Sequence, residues 1–147
     1  MVKSKFLSMQ QYLQQLTGLV QETEKAGEHV APFFEKLDAA IKADSLSEMP
    51  AAEFKEIAAE FDDVVELYQT TSQQMAALKA PARLLGSHAS LTKVFTQYTA
   101  ATEMMAAALD VKDQTVDMSA FNQSEADQDA LISKFYGQVQ RLMSTGV

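Results

Sequence analysis

The stretch that decides the fold is FKEIAAEFDDVVELY, residues 54–68. Its large apolar side chains recur every three or four residues, at Phe54, Ile57, Phe61, Val64 and Tyr68. This is the spacing of one face of an α-helix, in which about 3.6 residues make a turn. The stretch is therefore predicted to form an amphipathic helix that presents one apolar stripe to a core.

The same spacing continues in three other segments, and it predicts helices over residues 4–43, 50–80, 82–110 and 118–144. The first stripe contains Phe6, Met9, Leu13, Leu16, Val20, Thr23, Gly27, Val30, Phe34, Leu37 and Ile41. The fourth is less regular and contains Phe121, Glu125, Gln128, Ile132, Phe135, Val139 and Leu142. Pro50 and Pro81 mark two of the connections. Because proline lacks a backbone N–H, the first helix is expected to kink or break near Pro32.

Short connections between consecutive helices force antiparallel neighbours. The sequence therefore predicts an all-α fold, an up-down-up-down antiparallel four-helix bundle, with residues 1–147 forming a single domain. A long extended coiled coil is the alternative, and the two proline-marked turns argue against it. No strand is predicted, because Val and Ile are sparse and the Ala, Gln, Glu, Lys and Met content suits helices.

The composition restricts the partners and the chemistry. With 12 basic and 20 acidic residues, the formal net charge is −8, which disfavours nucleic-acid phosphates and anionic membranes as partners. The chain contains no Cys, so disulfides, thiolate metal sites and cysteine nucleophiles are excluded. No apolar run approaches the length of a membrane span, and polar residues interrupt any signal-peptide core near the first residues. We therefore expect a cytoplasmic protein.

Three polar residues fall on the apolar stripes at similar heights. In an up-down bundle, residues that face each other across a turn have numbers with a roughly constant sum, which places Thr23, Thr71 and His88 in one layer. One interpretation is a hydrogen-bonded polar layer that fixes the register of the helices. The alternative is a small-ligand pocket around His88. One imidazole and two hydroxyls make no catalytic set, so no enzyme is predicted.

The sequence offers little for a metal or a cofactor. A carboxylate-bridged di-metal bundle uses Glu-x-x-His motifs, but Ala26 and Leu85 stand three residues before the two histidines, His29 and His88. We therefore predict no metal and no cofactor. A haem held by His88 and a methionine is the alternative, although methionines at helical spacing usually fill cores. The acidic clusters at 22–28 and 60–66 are interpreted as solvated faces.

The start of the first helix suggests an interface. The layer arithmetic pairs the end of the fourth helix with about Thr17, which leaves Phe6, Met9, Tyr12 and Leu13 uncovered if the first helix is continuous. An exposed apolar stripe of this kind typically marks a protein interface or a homodimer contact. Alternatively, a break near Pro32 folds this segment back and buries it. The leading hypothesis is a non-catalytic protein-interaction or scaffolding bundle, and the second is a small-molecule binding or sensing bundle.

One set of residues resembles a known group of proteins. The run Leu78-Lys79-Ala80-Pro81, followed by His88, Leu91 and Tyr98 and later by Phe121-Asn122, resembles the helical-bundle domains of small exported lipoproteins from Gram-positive bacteria. The resemblance covers roughly the last three helices and implies a helical bundle without an assigned activity. This chain has no Cys and so departs from those proteins at their lipid-bearing position.

Overall fold

The computed structural model describes residues 7–145, and these residues form four α-helices. The helices are α1 (Met9–Lys42), α2 (Ala51–Ala77), α3 (Leu85–Ala107) and α4 (Met118–Thr145). Single 3₁₀ turns lie in the first two connections, at Leu46–Glu48 and Ala82–Leu84. Each helix packs against the next one in the chain, whereas α1 and α4 approach each other far less closely. The predicted all-α four-helix bundle is confirmed.

Helix α1 runs without interruption for 34 residues and contains Pro32 in its interior. Of the predicted kink or break near Pro32, the break is therefore wrong, and the kink stays a prediction. Proline removes the hydrogen bond that the carbonyl of Glu28 would accept. Both Pro32 and Glu28 are exposed, so water reaches that carbonyl and the loss is tolerated.

The helix ends differ from the prediction by a few residues. Ser8 caps α1 through a capping box with Gln11, and the predicted start at residue 4 lies outside the described residues. Helix α2 ends three residues before the predicted end, at Ala77, ahead of the proline-marked turn. Helix α3 begins at Leu85, directly after the 3₁₀ turn at Ala82–Leu84, and ends at Ala107, shortly before a short strand at Leu109–Asp110.

A minimal β-hairpin, which the sequence did not predict, connects α3 and α4. Strands β1 (Leu109–Asp110) and β2 (Thr115–Val116) pair antiparallel around a turn in which Gln114 adopts a φ of 54°. The side-chain amide of Gln114 donates to the carbonyls of Leu46 and Met49, at 3.0 and 2.7 Å. The hairpin is thereby tied to the α1–α2 connection at the same end of the bundle.

The core consists of two apolar clusters along the bundle. One cluster includes Tyr12, Leu16, Tyr68, Phe95 and Phe135, and it lies toward the α2–α3 connection. The other includes Leu37, Phe54, Ile57, Phe61, Met105 and Phe121, and it lies toward the hairpin. Val30 packs against both clusters, so the boundary between them falls at the middle of α1. Among residues 7–145, no helix is long and apolar enough to cross a membrane.

Candidate functional site

The three residues of the predicted polar layer are buried but do not form one layer. The exposed fractions of Thr23, Thr71 and His88 are 2%, 3% and 7%. His88 contacts Tyr12 on α1, and Thr23 lies roughly 16 Å further along that helix at a rise of about 1.5 Å per residue. Thr23 instead donates to the Leu19 carbonyl of its own helix, at 3.0 Å. The predicted layer of Thr23, Thr71 and His88 is therefore wrong in placing Thr23 beside His88.

His88 is held by a different set of partners, Tyr12 and Met75, which we call the His88 network. Nε2 of His88 lies 2.9 Å from the Met75 carbonyl, and Nδ1 lies 2.8 Å from the Tyr12 hydroxyl. Because a carbonyl only accepts, Nε2 carries the proton, and the Tyr12 hydroxyl donates to Nδ1. Both ring nitrogens are engaged, so the predicted ligand pocket around His88 has no polar group of the imidazole to use.

Burial keeps the His88 network neutral. It lowers the pKa of His88, although the hydrogen bond to the Met75 carbonyl opposes the shift. It also raises the pKa of Tyr12 to about 12. The direction of the His88 shift is the one expected for a buried imidazole bonded to neutral groups, although its partners are not the predicted threonines.

The predicted interface stripe is covered at its centre. Tyr12 has an exposed fraction of 0%, whereas Met9 and Leu13 are partly buried against the same cluster, and Phe6 lies outside the described residues. The expected pairing of Thr17 with the end of α4 is present, since Thr17 Oγ1 lies 3.9 Å from the Met143 sulfur. The expectation that Tyr12 is uncovered is wrong.

The α2–α3 connection provides the missing cover. The amide of Leu7 donates to the Lys79 carbonyl at 2.9 Å, which fixes the chain before α1 against this connection. Ala80 and Leu84 belong to the buried cluster that contains Tyr12, and the partly buried Leu78 packs against it. Layer arithmetic considers helix positions only and therefore omits the contribution of the connection.

A cavity of about 320 Å³ lies in the middle of the bundle, and all four helices contribute to it. We call it the interhelical cavity. Its lining residues from α2 and α3 are buried, whereas those from α1 and α4 are partly or fully exposed. Since α1 and α4 also approach each other less closely than either approaches its neighbour in the chain, α2 and α3 form the floor and the mouth opens between α1 and α4.

The floor is aromatic. Phe61, Tyr68 and Tyr98 line it, and the ring centroids of the two tyrosines are 5.3 Å apart. Burial raises the pKa of both phenols, and the neighbouring Tyr98 raises that of Tyr68 further. The hydroxyl of Thr102 donates to the Tyr98 carbonyl at 2.9 Å. The floor therefore offers neutral hydroxyls and ring faces at neutral pH.

Gly27 forms part of the α1 wall directly over Tyr68. A Cβ at position 27 would meet the Tyr68 hydroxyl at 3.8 Å, which is an ordinary van der Waals contact. No close approach of backbones requires a glycine here. The missing side chain instead leaves space next to the hydroxyl, at a cost of roughly 0.5–1 kcal/mol of helix stability relative to alanine.

The mouth on the α4 side carries acidic and acceptor groups. Glu125 and Asp129 are exposed and stand one turn apart on the same helix face. The amide nitrogen of Gln128 donates to Ser124 Oγ at 2.9 Å and contacts the Met105 sulfur at 3.6 Å. Its carbonyl oxygen is the polar group it has left for a ligand. No Lys, Arg or His occurs among the described residues that line the cavity.

The sequence contained a signal for this cavity. Gly27 stands on the first stripe, and Glu125 and Gln128 stand on the fourth, where large apolar residues are expected. A stripe position without a side chain opposite two polar stripe positions indicates a gap in the core. The candidates taken from the stripes were instead Thr23, Thr71 and His88. Of these, Thr23 donates within its own helix, and His88 bonds to Tyr12 and to the Met75 carbonyl.

Neither a metal cluster among the described residues nor a similar known protein points to a function. In the described part of the chain, no three His, Asp or Glu side chains come together in a way that would hold a metal ion. No model of a known protein family matches the chain, and no curated protein or solved structure is significantly similar to it. The resemblance to exported lipoproteins thus receives no support from these comparisons.

Proposed function

We propose that this protein is a non-catalytic helical bundle that binds a small molecule in the interhelical cavity. The observation that carries the proposal is the cavity itself, an aromatic floor of buried side chains under a mouth between α1 and α4. Its volume of about 320 Å³ falls within the usual range of ligand pockets, about 300–1,000 Å³. The ligand pocket predicted around His88 is thus replaced by one at Tyr68 and Tyr98.

The residues at the cavity support binding rather than catalysis. The phenols of Tyr68 and Tyr98 have raised pKa values and stay protonated at neutral pH, so neither provides a base. Glu125 and Asp129 are exposed and face the mouth, where they attract ligands but lack a partner nucleophile. A general acid or base acts within hydrogen-bond reach of an activated group, and the cavity supplies no such pair.

The protein-interaction function is not the one we propose, because its main argument was an uncovered apolar stripe. Tyr12 is fully buried at the centre of that stripe. The absence of a nucleic-acid partner and the cytoplasmic location stay predictions from composition, since the net charge of −8 repels phosphates but identifies no compartment.

Indole, a neutral aromatic molecule, is a suitable first probe of the cavity. In ¹H–¹⁵N spectra, we expect it to shift amides of α2 and α3 around Tyr68 and Tyr98, with saturable millimolar affinity. Gly27→Leu should fill the space beside the Tyr68 hydroxyl and abolish these shifts. Gly18→Leu is the matched control, because it makes the same change on α1 at a position where a Cβ meets nothing within 4 Å.

The control separates filling of the cavity from a change in helix stability. Both leucines raise helix propensity relative to glycine, so both variants should melt at or above the wild-type temperature. Equal indole binding by wild type and Gly27→Leu contradicts the proposal, as do shifts that map to the surface away from the cavity.

A further inference from the structure

We infer that the interhelical cavity takes an amphipathic organic ammonium ion, with its apolar body on the aromatic floor and its charged nitrogen at the mouth. This ligand class rests on the small-molecule function proposed above. The evidence for it is the distribution of polar groups, with acidic and acceptor groups at the mouth and aromatic side chains on the floor.

The charged residues that line the described cavity are all negative, and all lie at the mouth on α4. Glu125 and Asp129 are the two ionisable acids of the described lining, and both stand at the mouth on α4. An anionic ligand would meet two carboxylates there without a compensating base. A cation would gain from both, and it would avoid the large cost of burying a charge, since these side chains are exposed.

The remaining polar group at the mouth favours a hydrogen-bond donor. The amide nitrogen of Gln128 is occupied by Ser124 and Met105, and the Ser124 hydroxyl itself donates to the Ala101 carbonyl. This arrangement fixes the orientation of the Gln128 amide and leaves its oxygen as an acceptor. An ammonium group carries only donors, so it matches an acceptor flanked by two carboxylates.

The floor matches the other end of such a ligand. Tyr68, Tyr98 and Phe61 present ring faces and edges, while Met105 supplies a polarisable thioether. These groups favour an aromatic or aliphatic body, and their π-systems also attract a cation that lies near the rings. The Tyr98 and Tyr68 hydroxyls are neutral, so they do not compete with the carboxylates for the charge.

The surroundings add a negative field. The whole chain has a net charge of −8, which raises the local concentration of cations. A positive charge that acts on Glu125 from outside the cavity belongs to Lys42, and its Nζ is paired with Asp38 Oδ2 at 2.7 Å. Burial raises the pKa of Tyr136 on α4, and the negative charge of Glu24 on α1 raises it further, so a carboxylate on α1 also lies near α4.

The test compares two probes of the same shape and different charge. 2-Phenylethylamine is protonated at pH 7, whereas 2-phenylethanol carries a neutral hydroxyl in place of the ammonium. By calorimetry or NMR titration of the full chain at low salt, we expect the amine to bind about tenfold more tightly than the alcohol, as two exposed carboxylates allow. The preference should shrink as added salt screens the mouth.

Two double variants show whether the mouth carboxylates cause the preference. Glu125→Gln with Asp129→Asn should bring the two affinities close to parity, with binding of the alcohol retained. Asp62→Asn with Glu66→Gln is the matched control, since these exposed acids have the same spacing on α2 and do not line the cavity. The control removes the same charge and should keep the preference for the amine.

The possible outcomes separate this ligand class from the proposed function. Equal affinities in wild type, or tighter binding of the alcohol, overturn the ammonium ligand and leave a small-molecule cavity. A preference that falls equally in both double variants also overturns it, because net charge would then be the cause. If neither probe binds, and if Gly27→Leu binds indole as the wild type does, the cavity function is overturned as well.

Discussion

The His88 network and the interhelical cavity are two polar regions inside one bundle, and they differ in how their polar groups are satisfied. In the His88 network, each ring nitrogen has a protein partner within 3 Å, and Tyr12 is fully buried. In the cavity, neutral phenols lie under a mouth of acceptors, with space beside them where Gly27 lacks a side chain. Buried polar groups that satisfy one another stabilise the fold, whereas groups that surround unfilled space are available to a ligand.

The largest expected effect tests how tightly the two regions are packed. Tyr12→Ala should lower the free energy of unfolding by about 3–5 kcal/mol, because it leaves a cavity in a filled region and removes the donor to His88. Phe34→Ala is the matched change on the same helix. Phe34 is half-buried at the wall of the interhelical cavity and stacks on Phe121 with centroids 5.9 Å apart.

We expect Phe34→Ala to lower the free energy of unfolding by less than half as much as Tyr12→Ala, since the surroundings of Phe34 already contain space and solvent. Urea unfolding monitored by circular dichroism gives both values. Equal losses would show that the Tyr12 end is no better packed than the cavity. A nearly unchanged Tyr12 variant would revive the exposed stripe that the sequence suggested around Met9 and Leu13.

The sequence predicted the helices well, because apolar residues recur every three or four positions in the first three segments and in the second half of the fourth, and burial in the core depends on that spacing. The stretch 54–68 lies in α2, and the start of α4 at Met118 agrees with the predicted boundary. The sequence left open whether α1 continues through Pro32, because proline is penalised locally whereas packing along the whole helix outweighs one lost hydrogen bond.

The candidate site was predicted less well, and particular residues show why. His88 is buried, as its place on the apolar stripe predicted, but its partners are Tyr12 and the backbone of Met75. Side-chain partners depend on the axial offset between helices, and a sum of residue numbers fixes this offset only to within several residues. The cavity depends on a missing side chain at Gly27, which a search for reactive residues passes over.

A smaller effect concerns the pH dependence of the His88 network. Burial lowers the pKa of His88 below its ordinary value of about 6.5, so below that pH the unfolded chain binds a proton more readily than the folded chain. The contribution of His88 to stability is therefore complete above about pH 6.5 and is lost as the pH falls through the folded-state pKa. His88→Leu should flatten the dependence of stability on pH below about 6.5.

The chain has a second histidine, which supplies the control for this measurement. His29 lies 2.9 Å from Glu60 at the surface, and its side chain has an exposed fraction of 70%. His29→Gln should keep the slope that His88→Leu removes, when both are followed by urea unfolding across the pH range. An NMR titration that gives His88 an ordinary or raised pKa, or an unchanged slope in His88→Leu, would contradict the buried neutral imidazole.

The smallest expected effect tests whether position 27 has room. Gly27→Ala and Gly18→Ala should each stabilise the protein by about 0.5–1 kcal/mol, because alanine has the higher helix propensity and restricts the unfolded chain. The Cβ at position 18 meets nothing within 4 Å, and the Cβ at position 27 meets the Tyr68 hydroxyl at an unstrained 3.8 Å. Matching gains in melting temperature would show that packing does not require a glycine at position 27. Weaker binding of indole by Gly27→Ala, but not by Gly18→Ala, would show that the absence of a side chain at position 27 contributes to the cavity. A loss of stability at position 27, against a gain at position 18, would mean that the wall at Gly27 is already closed around Tyr68.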